Sequence, residues 1–139
     1  FDGSGSASIA IVETPLIGGT LQFLRWSTAG GKPTLTKTAE LFGFSNHKYG
    51  DREQRLSAVE DFDNDGVSDL ALPSANRRSL KLVRLSGMTD PQIEIMAEVP
   101  LPSPIDKAIG VTREGDDEVL PVGLEDGSVY AIHRELPKN

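Results

Sequence analysis

The chain has 139 residues, 37% of them hydrophobic and 25% charged, an ordinary globular balance with enough apolar material for one core. Its 21 acidic residues against 14 basic ones leave a formal charge of −7, which argues against a nucleic-acid partner and suits a cation. Cysteine is absent, so disulfides and thiolate metal sites are excluded, and no apolar stretch approaches the ~18 residues of a membrane span. Fourteen glycines and nine prolines predict many turns, and therefore many short strands.

In chain order, residues 9–12 read as a strand that is apolar on both faces. The dipeptide Gly18-Gly19 turns the chain into an alternating strand over 20–26, and another strand follows over 34–41. A short apolar run at 56–59 precedes an acidic loop and a strand beginning at Asp69. Alternation returns over 79–85 and again over 92–99. Pro100 to Pro104 breaks strand pairing and reads as a connection. A further apolar run at 108–111, a strand near 119–122, the turn Asp126-Gly127 and a last strand over 128–133 complete the set. Helical periodicity is missing throughout.

These elements repeat. The segments starting Phe1-Asp2-Gly3-Ser4-Gly5, Phe62-Asp63-Asn64-Asp65-Gly66 and, more weakly, Arg113-Glu114-Gly115-Asp116-Asp117 align on Gly5, Gly66 and Gly115, which lie 61 and 49 residues apart. Each is followed by a turn and an alternating strand. One unit is therefore four strands in about 50–60 residues, and sheets apolar on both faces are expected to stack on one another.

Residues 61–69 carry the sharpest signal. Asp61, Asp63 and Asp65 place carboxylates at alternate positions of a tight loop, and Gly66 permits the sharp turn after the third. Calcium takes six to eight oxygens, so these three with the carbonyl of Val67 and the carboxylate of Asp69 form a candidate cage. Four carboxylates this close repel one another unless a cation is present. An EF-hand is excluded because its twelfth position requires an acidic residue and here holds Leu72, inside a strand. In the first unit Asp2, Ser4 and Ser8 stand at equivalent positions, and two serines in place of carboxylates predict no tight ion. The third unit has Gly110, Thr112, Glu114 and Glu118 where the second has its aspartates, and reads as a turn without a metal.

The pattern Asp61 to Leu70, with Phe42-Gly43 upstream and Leu72-Pro73-Ser74-Ala75 downstream, resembles the FG-GAP (VCBS-type) repeats of integrin α-subunit propellers and of bacterial secreted proteins. The resemblance covers residues 42–85 most closely. It implies an all-β fold of four-stranded antiparallel blades in a β-propeller, with structural calcium held by Asp61, Asp63, Asp65, Val67 and Asp69 at the loop joining the first two strands of a blade. It also implies an extracellular or periplasmic location. On this register the chain is a single partial propeller. Residues 1–45 form a blade lacking its first strand, 46–104 a full blade, and 105–139 a blade lacking its last. The expected partners are the remaining blades, on an upstream segment or a separate chain, together with a protein or glycan ligand. The opening residue, Phe1 rather than methionine, likewise predicts a longer precursor or a piece cut from a longer chain.

No nucleophile–base pair and no phosphate-cradling glycine loop is visible, so no catalytic residue is named. His47 and His133 read as surface residues, Trp26 as blade-to-blade packing, and Arg77-Arg78 as a solvated turn. The function expected is a non-catalytic, calcium-stabilised module for binding or scaffolding. The alternative is the propeller part of an enzyme acting on polysaccharide, with its active site in the missing blades.

Overall fold

Period-two alternation with frequent glycine punctuation yields strands and little else. The computed structural model describes residues 1–115 and 117–134; Asp116 of the third repeat segment lies outside them. Apart from two single 3-10 turns, at Pro15–Ile17 and Ala29–Gly31, all regular structure among the described residues is β. The fold is all-β, built of antiparallel sheets of three to four strands.

The first sheet holds β1 (Ser8–Glu13), β2 (Gly19–Ser27) and β3 (Thr34–Phe44) in sequence order. The second holds β4 (Ala58–Glu60), β5 (Asp69–Pro73), β6 (Ser79–Ser86) and β7 (Gln92–Pro100), again in order. In the third, β10 (Asp117–Leu124) lies between β8 (Ile105–Ile109) and β11 (Val129–His133), and the short β9 (Thr112–Glu114) folds back on β10. The apolar run read at 108–111 is thus divided: β8 ends at Ile109, and Gly110 donates its N–H to the Pro121 carbonyl at 3.0 Å. A Cβ on Gly110 would sit 3.1 Å from the Pro121 ring, a tight approach that a larger residue makes only if the ring shifts by a few tenths of an ångström.

The second sheet is covered on both faces. Leu70, Leu72, Val83 and Leu85 pack against Leu21, Phe23 and Phe44 of the first sheet. From the opposite face Ala71 and Leu80 pack against Ile105, Ile109, Leu120, Val122 and Leu124 of the third, with Leu56 and Phe62 beside them. Strict alternation along β5 and β6 sends successive side chains to opposite neighbours, so each strand serves two cores. Each fully buried Leu or Phe here contributes roughly 2 kcal/mol from apolar burial.

Irregularities repeat along with the strands. Thr38 is an extra residue in β3 opposite Phe23 and Leu24, and Met96 is an extra residue in β7 opposite Leu82 and Val83, the matching pair one sheet on. The β5–β6 turn places Arg77 at φ 59 and the β10–β11 turn places Gly127 at φ 86, and in both a side-chain oxygen three residues before the strand start (Asn76, Asp126) accepts a backbone N–H (Arg78, Ser128).

The outer face of the first sheet is uncovered among the described residues. It carries Ile9, Ile11, Trp26, Leu35 and Phe42, from 39% to 67% exposed. Trp26 therefore does not pack between the first two sheets: Leu21 and Phe23 take that face of β2, and alternation turns Trp26 outward.

Candidate metal centre

Residues 61–68 connect β4 to β5 across a mouth closed by the Glu60–Asp69 pair. Phe62 is buried in the core against the third sheet and pins the loop down, while Asp61, Asp63 and Asp65 alternate away from it. One carboxylate oxygen from each of these three lies within 4.8 Å of the other two. Backbone amides hold them in place: Asp61 accepts the N–H of Asp65 at 3.1 Å and of Gly66 at 2.9 Å, Asp63 accepts that of Asp65 at 3.1 Å, and Asp65 accepts that of Val67 at 2.7 Å. Asn64 at φ 60 and Gly66 at φ 86 provide the two left-handed residues that this coil requires.

Asp69 stands behind this cluster. It is 1% exposed and accepts the Phe62 N–H at 2.9 Å. Burial, and after it the charges of Asp63, Asp65 and Asp61, push its carboxyl up to about 6, against the pull of the Phe62 amide. The structure thus brings together Asp61, Asp63 and Asp65, places Asp69 within their electrostatic reach, and leaves Val67 half-buried beside Asp65. An all-oxygen, carboxylate-rich set with a destabilised buried member is chemically suited to a hard divalent cation such as calcium.

The first repeat folds its loop identically. Gly3 at φ 68 and Gly5 at φ 74 match Asn64 and Gly66. The Ser4 N–H bonds Asp2 at 3.0 Å and the Ser6 N–H bonds Ser4 Oγ at 3.2 Å, as those of Asp65 and Val67 bond Asp63 and Asp65. In the third repeat the aligned residues form the β9–β10 hairpin, with Glu114 paired to Asp117, and Glu118 meets Arg134 at 3.4 Å. The aligned acids are therefore not gathered there.

Arginines are what the sequence reading missed. Arg25 forms an ion pair with buried Asp2, and Arg84, at the matching place in its sheet, reaches Asp63 at 3.2 Å. Burial raises the Asp2 carboxyl, but the Ser4 and Arg25 hydrogen bonds outweigh it and hold it at about 2. Both arginines are the sixth residue of the aligned strand segments at 20–26 and 79–85; that alignment was the available signal.

A second charged knot ties the connection after β3 to the last sheet. Lys48 bonds Asp106 at 2.6 Å and Glu125 at 3.0 Å, and Lys107 lies 3.1 Å from Asp106. The Lys48 hydrogen bond, against the cost of burial, holds Asp106 below the ordinary carboxylate range. Arg77, read as solvated, instead donates to the Ile105 carbonyl at 2.7 Å and braces the third sheet.

Compared with known proteins, the chain matches no family model and no curated sequence. No helix among the described residues is long and apolar enough to cross a membrane.

Proposed function

We propose that this chain is part of a calcium-stabilised, non-catalytic β-propeller module of the FG-GAP type, used for protein or glycan binding or for scaffolding outside the cytoplasm. One observation carries the reading: the loops at 1–8 and 61–69 share backbone turns and hydrogen bonds while leading into the matching strands β1 and β5 of successive, stacked sheets. That is the behaviour of one repeated unit, and its second copy gathers three carboxylates at the corner of the sheet.

Calcium here is structural. Bound to the folded loop alone, it adds about 2.7 kcal/mol of stability at a hundredfold excess over Kd. Thermal unfolding with calcium and with chelator measures this directly. Chelation is expected to lower Tm, and Asp63→Ala to abolish the difference. Equal melting temperatures for the unmodified chain in the two buffers would refute the calcium reading.

The partners proposed are the remaining blades. Ile9, Ile11, Leu24 and Trp26 occupy the repeat positions of Leu70, Leu72, Val83 and Leu85, which the first sheet buries to between 0% and 6% exposure. The face they form is therefore one on which another sheet of the same repeat fits. Trp26 is the sole tryptophan and reports on that face. In a polypeptide carrying the further repeats its emission is expected to shift to the blue of the 139-residue chain, and an unshifted spectrum there counts against the stacking partner.

A further inference from the structure

The matching arginines do different work, and the difference lies across the strand. Arg25 in β2 is opposite Thr36 of β3, a neutral residue. Arg84 in β6 is opposite Glu94 of β7, the equivalent position, and there the partner is an acid. Arg84 places Nη2 at 2.7 Å and Nε at 2.8 Å from Glu94, and only Nη1, at 3.2 Å, on Asp63. Ser86 in turn fixes Glu94 by a 2.8 Å hydrogen bond. Two guanidinium nitrogens thus converge on Glu94 Oε2, and one is attached to the loop. Arg25 has no such alternative: its Nε is buried without a partner, and Asp2, whose side chain is 3% exposed, is the acid it meets.

We propose that Arg84 is a resident counter-ion of the 61–69 loop, displaced from Asp63 onto Glu94 when calcium binds, so that this arginine sets the loop's affinity, whereas Arg25 holds the same place in the 1–8 loop permanently and makes that loop independent of ions. The proposal rests on the calcium reading of residues 61–69. Its physical content is competition. Both oxygens of Asp63 are engaged, Oδ1 by the Asp65 amide and Oδ2 by Arg84, and the single guanidinium contact is the one that can be surrendered without unfolding the coil. Glu94 keeps the released arginine from being stranded.

Calorimetric calcium titration of the full chain tests this in a double-mutant cycle. Arg84→Gln is expected to tighten Kd roughly two- to fivefold, the worth of one partly exposed ion pair. Glu94→Gln is expected to weaken it to a similar extent, because the arginine then has only Asp63. The double variant distinguishes displacement from plain charge: if Glu94 acts only through Arg84, the pair binds as tightly as Arg84→Gln alone. A double variant that returns to the unmodified Kd shows simple additivity and overturns the proposal. So does an Arg84→Gln that binds no tighter, and this leaves the calcium reading standing. Absence of calcium binding in both the unmodified chain and Arg84→Gln overturns both. Arg25→Gln is expected to lower Tm and leave Kd unchanged; a changed Kd would mean that the two loops are not separate.

Discussion

Residues 1–8 and 61–69 run the same backbone course under opposite electrostatics. Each uses a left-handed residue two before a left-handed glycine, and each hangs backbone amides on side-chain oxygens two residues back. In the first loop a single buried carboxylate meets an arginine, and its pKa falls to about 2. In the second, three clustered carboxylates stand before a fourth that burial and its neighbours raise to about 6. Loop conformation is therefore set by glycine, asparagine and short polar side chains, and the charge placed on it decides whether the loop is self-sufficient. One guanidinium balances one carboxylate; it does not balance four.

The largest effect that sharpens this contrast is expected from Asp2→Ala. It strips Arg25 of its acid and Ser4 of its acceptor inside a partly buried site, and breaking such a pair costs about 2–3 kcal/mol once its exposed portion is discounted. Urea unfolding should show the same loss with calcium and with chelator. A loss that calcium repairs would mean that the first loop also depends on an ion, and the distinction between the two would fail.

Much of this was legible from alternation and punctuation. The strands at 20–26, 79–85 and 92–99 were each visible as period-two runs and lie inside β2, β6 and β7, because successive side chains of a strand point to opposite faces of its sheet. The cluster of Asp61, Asp63 and Asp65 was visible because ligand spacing is local in sequence. What was hidden is non-local or conformational. Asp2 and Arg25 are 23 residues apart, and Asp63 and Arg84 are 21, so their pairing depends on strand register, which a single sequence does not state. The bulges at Thr38 and Met96 leave no compositional trace. Lys48 carries no local sign of its role, because nothing near it in sequence announces buried Asp106, 58 residues on.

The smaller effect is a pH dependence confined to the second loop. Asp69 carries a folded pKa of about 6 against an ordinary value of 3.8, so between those limits the folded chain holds a proton that the unfolded chain releases. A raised carboxyl pKa stabilises the fold below the unfolded value, and that contribution is lost as pH rises through the folded one. Metal-free protein is accordingly expected to lose on the order of 1 kcal/mol from pH 5 to pH 7. Asp2, Glu53 and Asp106 are held below their ordinary values, so their stability contributions change below this window, where the unfolded carboxylates take up protons. Asp69→Asn keeps the acceptor for the Phe62 amide and removes the titration, so its stability should be flat over the same range. Saturating calcium should flatten the unmodified chain as well, because a bound cation stabilises the ionised form. Denaturant midpoints measured across this window in ion-free buffer decide it. A slope that persists in Asp69→Asn would assign the titration to another group and remove the electrostatic strain that sets the second loop apart from the first.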